Sequence, residues 1–176
     1  VIKLREIKEY DLPQLLEWRN EYKDIFREHR TLTIENQVGW FQSLTEDRTR
    51  QMYSVTDADG HLIGCGGWVG IDWVNRHTGD LSIYIGDKDY QNRGYGLATI
   101  DELVRVAFED MNMEMVRAEV FEFNPNYKVY EEAGFQMVGC WRNAHYLNGE
   151  YWDSYIMDMD RDDWTNIRIK GVRGVL

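Results

Sequence analysis

The sequence predicts an α+β fold in which seven strand-like segments are interleaved with helical ones. Three observations carry the prediction. The β-branched and aromatic run Leu81-Ser82-Ile83-Tyr84-Ile85 passes through a glycine-rich turn into Leu97–Phe108, where apolar residues recur every three or four positions. Two turn signals, Asp57-Ala58-Asp59-Gly60 and Asn148-Gly149, each join two runs of strand character. No repeat, low-complexity tract or long linker interrupts the chain, so residues 1–176 read as one domain ending in a tail over 165–176.

The elements follow in order. Val1 to Ile7 alternates as a first strand. Asp11 stands where it would cap a helix running through Trp18 and Arg19, with Pro13 in its first turn. A second helix is predicted from Thr31 or Thr33 through Trp40, Phe41 and Leu44. Met52–Thr56 and His61–Trp68 flank the first turn signal as a hairpin, and a further turn over 75–79 leads into the fourth strand. Met115–Phe121 reads as the fifth strand. After Phe135 the sixth runs through Trp141, and the seventh covers Tyr151 to Met159.

With 43% hydrophobic and 14% aromatic residues, the chain can bury a substantial core and is not of disordered type. Its apolar runs are only a handful of residues long, too short for a bilayer, and Val1–Ile7 lacks a signal-type apolar region. Cys65 and Cys140 suit a reduced cytoplasm as two buried thiols, with one disulfide left open. His29, His61, His77 and His145 lie far apart and no Cys-x-x-Cys pair exists, so no metal site is expected. Thirty-one acidic against 20 basic residues leave a formal charge of −11, which disfavours a nucleic-acid partner. The same charge either draws a cationic acceptor or simply keeps the protein in solution.

Gln91-Asn92-Arg93-Gly94-Tyr95-Gly96-Leu97-Ala98 is the most telling segment. A strand, a glycine turn and a helix start aim unpaired backbone N–H groups outward at the positive end of the helix dipole, which makes an anion cradle. A P-loop would need Gly-Lys followed by Ser or Thr, which is absent. The dinucleotide fingerprint fails at Thr99, where its third glycine should stand. The pattern present is Gln-x-x-Gly-x-Gly-x-Ala, and it resembles the acetyl-coenzyme A motif of the GNAT superfamily of N-acetyltransferases.

A second motif stands about thirty residues downstream. Tyr130-Glu131-Glu132-Ala133-Gly134-Phe135 resembles the superfamily's Tyr-Glu-x-x-Gly-Phe ending, and Met115–Phe121 supplies the intervening strand. The asparagine that precedes this tyrosine by seven positions in the superfamily stands six before it here, so Asn124 or Asn126 fills that place.

The resemblance implies a mixed, mostly antiparallel central sheet of about seven strands flanked by helices, splayed between the fourth and fifth strands. It implies acetyl-CoA as cosubstrate, its pantetheine arm paired with backbone near Ile83 and Ile85. The pyrophosphate would lie on Gln91, Asn92, Arg93, Gly94, Tyr95 and Gly96, with Asn124 nearby. Tyr130 is implied as the acid that meets the leaving thiolate, with a phenol near 10 facing a thiol near about 8.5. Asp80 is the candidate base, eleven positions before Gln91, or else a residue that merely caps a strand edge; Glu119 and Glu122 are reserves. The oxyanion donor would be a backbone N–H near Ile83 or Tyr84.

The acceptor pocket is expected from Trp18, Arg19, Trp40 and Trp68. Trp18-Arg19-Asn20 with Trp40-Phe41 resembles enzymes that acetylate nucleotide-linked amino sugars. The stretch from Arg142 through Tyr151 and Asp153 to Trp164 looks more like ribosomal-protein N-terminal acetyltransferases and their small-molecule relatives. The expected reaction is acetyl transfer to a primary amine of a protein N-terminus, an amino sugar or a polyamine. The expected setting is cytoplasmic, as a monomer or homodimer, without membrane or nucleic acid. A non-catalytic CoA-binding regulator or scaffold is the alternative.

Overall fold

A computed structural model describes residues 1–169. Its elements run β1 (Lys3–Glu6), α1 (Leu12–Glu21), α2 (Ile34–Ser43), β2 (Arg50–Thr56), β3 (Leu62–Val69), β4 (Asp80–Ile85), α3 (Tyr95–Arg105), β5 (Met115–Phe121), α4 (Tyr127–Ala133), β6 (Gln136–Leu147), β7 (Glu150–Asp160) and α5 (Arg161–Ile169). The seven strands make two sheets, β1-β2-β3-β4 and β5-β7-β6, and every ladder within them is antiparallel. The α+β class predicted from the sequence is therefore present, with its sheet divided in two.

The division lies between β4 and β5. They begin side by side, with a parallel bridge between His77 and Met115 and Thr78 N donating to Met115 O at 3.1 Å. Side chains then take over from backbone. Arg117 N donates to Thr78 Oγ1 at 3.0 Å, and Glu119 N donates to Asp80 Oδ1 at 2.8 Å. Beyond that rung no hydrogen bond joins the two strands among the described residues. A cleft opens there.

One core packs α3, β3, β5 and β7 around Trp68, Leu103, Phe108, Val116 and Met157; a second packs α1 on the other face of the first sheet through Leu12, Leu15, Trp18 and Cys65. Thr33 caps α2: its Oγ1 accepts from Asn36 N at 3.4 Å, while Asn36 Oδ1 accepts from Thr33 N at 3.1 Å. The Asn148-Gly149 hairpin has both residues at positive φ, 53° and 89°, as a two-residue turn matched to strand twist requires.

Three expectations need correction. Asp11 sits before α1 without capping it; its buried carboxylate accepts from Arg5 Nη1 and Nη2 (2.7 and 2.8 Å), Ser54 Oγ (2.8 Å) and Lys8 N (2.9 Å). Burial works to raise its pKa, yet these donors hold it below the usual range. Cys140 is exposed and only Cys65 is buried; both are free thiols. The sixth strand continues past Trp141 to Leu147 through an irregularity at Asn143, whose N–H donates to Asp153 Oδ1 at 2.9 Å. The predicted tail from Thr165 is helical as far as Ile169, within α5, where Trp164 stacks on Phe108 at 5.1 Å; residues 170–176 lie outside the described residues.

Candidate active site

The cleft holds two cavities with a common wall. One, about 730 Å³, is bounded by the α1–α2 segment, β4 and β5; the other, about 440 Å³, lies against the glycine loop. Ile25, Ile83, Tyr84, Asn124 and Tyr130 line both.

On the loop side, Asn92 and Gly94 have positive φ of 56° and 84°, and α3 begins at Tyr95. The first N–H groups of α3 precede its first intrahelical bond, Ala98 N to Gly94 O, and so remain free to bind an anion. A Cβ built at Gly94 or Gly96 meets nothing within 4 Å, so the cradle is open space. The loop is braced from behind. Tyr90 Oη donates to Asp57 Oδ2 at 2.7 Å and its ring meets Tyr95 edge-on at 4.9 Å. That bond holds Asp57 far below the carboxylate range and pushes Tyr90 up to about 12.

Gln91 also serves as a brace: its Nε2 donates to Ile85 O at 2.8 Å and to Tyr22 Oη at 3.0 Å. Gln91, Asn92, Gly94, Gly96, Ile83, Ile85, Asn124 and Asn126 line this cavity, whereas Arg93 is exposed and does not line it, and Tyr95 packs on Tyr90. Gly86 N donates to Ile63 O, and by antiparallel alternation Ile83 and Ile85 then turn their peptide groups away from β3, into the cleft. Asn124 Oδ1 accepts from Asn126 N at 3.1 Å, so the two asparagines form one turn, with only Asn124 reaching both cavities.

Asp80 and Tyr130 both line the larger cavity. Desolvation lifts Asp80 to about 7; its hydrogen bond from Glu119 N opposes that rise, and the Glu119 charge adds to it. Burial, and then the charge on Asp80, raise the Tyr130 phenol above its ordinary value. A carboxylate poised near neutrality beside a protonated phenol can accept a proton at one atom and donate one at another. Glu119 lines the same cavity but is engaged by Arg27. Glu122 is exposed and lines neither cavity.

Of the expected acceptor residues, Arg19 and Trp40 line the larger cavity and Trp18 and Trp68 do not. On β3, Cys65 and Val69 face the cavity; Trp68 has the opposite parity and points at α3, where its Nε1 donates to Leu103 O at 3.3 Å. On α1, Trp18 joins Leu12 and Leu15 on the buried face, so close to Gly86 that a Cβ there would lie 2.0 Å from Trp18 Cδ2. Arg19, about 100° further round the helix, faces the cavity instead.

The segment joining α1 to α2 contributes Ile25, Phe26, Arg27 and Glu28 to the cavity wall. Sequence reasoning missed it, because an irregular connection carries no periodicity. The dense Arg27-Glu28-His29-Arg30 cluster was the one available signal.

Known proteins agree with this architecture. The L-amino acid N-acetyltransferase AaaT of Escherichia coli is 30% identical over 122 residues, 66% of this chain and 73% of that protein. The acetyltransferase PseH of Campylobacter jejuni is 26% identical over 141 residues, 77% of this chain and 85% of that protein. A spermidine N-acetyltransferase of Vibrio cholerae, solved in complex with CoA and spermine, shares the fold with a TM-score of 0.86 at 22% identity, over 94% of this chain and 98% of that one. Residues 4–156 match the acetyltransferase (GNAT) domain. The chain therefore belongs to the GNAT family of acetyl-CoA-dependent N-acetyltransferases.

Proposed function

We propose that this protein moves an acetyl group from acetyl-CoA to a primary amine by direct attack, with both substrates bound in the cleft. The observation that carries the reading is the common wall: Tyr130 and Ile83 border both the glycine-loop cavity and the cavity that holds Asp80. Acetyl-CoA supplies an activated thioester. The open cradle at Gly94 and Gly96 suits its pyrophosphate, and the cleft-facing peptide of Ile83 and N–H of Ile85, whose carbonyl is held by Gln91, suit an extended amide-bearing arm laid along β4 like an added strand.

In this reading Asp80 takes the proton of the entering ammonium, directly or through one water, and so frees the nitrogen lone pair. The backbone N–H of Ile83 on β4, which faces the cleft while that of Tyr84 is turned to β3, stabilises the carbonyl oxygen while the N–C bond forms and the C–S bond breaks. The nitrogen, positive once the N–C bond has formed, gives up its second proton to solvent as the amide is completed, while Tyr130 directs its hydroxyl at the departing sulfur and supplies the proton that completes the thiol, recovering its own from solvent. Because its phenol is raised, Tyr130 stays protonated and can hydrogen-bond the sulfur as thiolate charge develops, while the same rise works against complete transfer of the proton. Asn124, Gln91, Asn92, Arg93 and Tyr95 are assigned to the cofactor side, Arg19 and Trp40 to the acceptor. The amines named for two of the relatives, an L-amino acid and spermidine, support a primary amine as acceptor. The same reading takes the chain as one catalytic domain working in the cytoplasm, as monomer or homodimer.

The test is release of free thiol from acetyl-CoA in the presence of a panel of primary amines. Release with at least one amine, above the rate in water alone, is the expected result. Tight acetyl-CoA binding without release on any amine would instead favour a silent CoA-binding protein.

A further inference from the structure

The larger cavity has a charge unlike that of the chain. The whole sequence carries −11, whereas four arginines (Arg19, Arg27, Arg30 and Arg50) against three carboxylates (Glu28, Asp80 and Glu119) line this cavity. Three of those arginines already have carboxylate partners: Arg27 with Glu119, Arg30 with Glu28 at 3.4 Å, and Arg50 with Asp47 at 3.0 Å. Arg19 has none among the described residues. Its guanidinium lies 3.8 Å from the centre of the Phe26 ring, its Nη2 donates to the Glu28 carbonyl, and its Nη1 is buried with no hydrogen-bond partner.

Arg19 is half-buried overall, but a guanidinium N–H that is buried without a partner is costly unless something completes it. Burial lowers the Arg19 pKa by more than the neighbouring Tyr84 and Glu28 charges raise it. Stacking on Phe26 fixes the plane of the fork and so the direction in which Nη1 donates. Neither a carbonyl nor an aromatic face supplies a full negative charge, and the neighbouring Glu28 carboxylate is paired with Arg30.

Resting on the acetyltransferase reading above, we propose that the acceptor is an amine that carries an oxyanion, a carboxylate or a phosphate, and that Arg19 binds this group. The acceptor would then lie across the cavity with its oxyanion on Arg19 and its amine towards Asp80. A linear polyamine has no group to complete Arg19 and would bring further positive charge against the arginines. The chain's overall acidity therefore does not report the sign of its acceptor.

The test compares matched amines with acetyl-CoA: a panel of L-amino acids against their amides, glucosamine 6-phosphate against glucosamine, and spermidine alone. Charge-assisted bonds of this kind are worth about tenfold or more each, so we expect kcat/KM for an anionic amine to exceed that of its neutral match by about 10- to 100-fold. Whichever pair shows the gap identifies the oxyanion. In Arg19→Met the ratio should fall towards one, and Arg19→Lys should restore part of it.

Equal rates on both members of every pair, a preference for spermidine, or a ratio that survives Arg19→Met would overturn the proposal. Should Arg19→Met not fold, the wild-type ratios decide alone. A second measurement separates this proposal from the catalytic reading: calorimetric binding of N-acetylated amino acids and their amides, and of N-acetylglucosamine 6-phosphate and N-acetylglucosamine, to the wild-type protein with CoA. No turnover on any amine, together with binding of an anionic product alone, would remove the catalytic reading and leave the oxyanion site. No discrimination between the products would remove the site.

Discussion

Asp80 Oδ1 accepts the Glu119 backbone N–H at 2.8 Å, and this is the last hydrogen bond between β4 and β5 before the sheet opens among the described residues. One carboxylate thus pins the apex of the cleft and faces the cavity that the cleft creates. Desolvation at that apex, opposed by the Glu119 N–H, sets its affinity for a proton near neutrality.

Asp80→Asn keeps an oxygen to accept from Glu119 N–H and loses the base. Turnover in the wild type should rise with pH through about 7 as Asp80 ionises, and the variant should lose that limb along with most of its rate. Stability gives an independent check. The folded pKa lies above the unfolded one, so the native state binds more protons between about 4 and 7, and wild-type stability falls as pH rises across that window. The asparagine variant should therefore melt above wild type at pH 8, with the gap closing towards pH 4. A pH–rate profile unchanged in shape would return the search for the base to Glu119 and Glu122.

Tyr130→Phe removes one hydroxyl from a buried ring packed edge-on against Phe135 at 5.8 Å. Packing and acetyl-CoA affinity should survive while turnover falls by about ten- to a thousandfold. Single-turnover kinetics at saturating acceptor measure this directly. Near-normal chemistry in the variant would exclude the acid role.

The two loop glycines should respond differently. Gly94 has φ +84°, so Gly94→Val costs about 1–2 kcal/mol in backbone strain as well as filling the cradle. Gly96 is under no such constraint and its Cβ direction is empty, so Gly96→Val should leave the melting temperature close to wild type while abolishing acetyl-CoA binding. Calorimetry on the folded Gly96 variant is decisive: unchanged affinity would move the pyrophosphate elsewhere.

Trp40 and Trp68 should separate site from core. Trp40→Ala should raise the acceptor KM severalfold with a small loss of stability, since the side chain is half-buried on the cavity wall. Trp68 is fully buried and donates to Leu103 O, so Trp68→Ala should cost about 3–5 kcal/mol in denaturant unfolding. The reverse pattern would mean that β3 presents its other face to the cavity.

Residues fixed by local chemistry were legible from the chain alone. The glycine turn opens into α3, a threonine, Thr31 or Thr33 in the sequence and Thr33 in the structure, starts α2, and Asn148-Gly149 turns a hairpin. Each requirement is met within four residues of sequence. The spacing of Tyr130 from Gly134-Phe135 belongs to the same class, because one short helix and its left-handed glycine end fix it.

Tertiary structure decided what faces what. Whether Trp68 looked into the cavity or into α3 was a matter of strand parity, which depends on the face of β3 that α3 covers. Asp11 read as a helix cap because Arg5 and Ser54, which claim its carboxylate, reach it only when β1 and β2 pair. The proton affinity of Asp80 arises from burial and from the Glu119 N–H, 39 residues away, and the fixed guanidinium of Arg19 from Phe26 and Glu28 in the irregular segment after α1. Burial is a property of the assembled cleft, and no local run of residues encodes it.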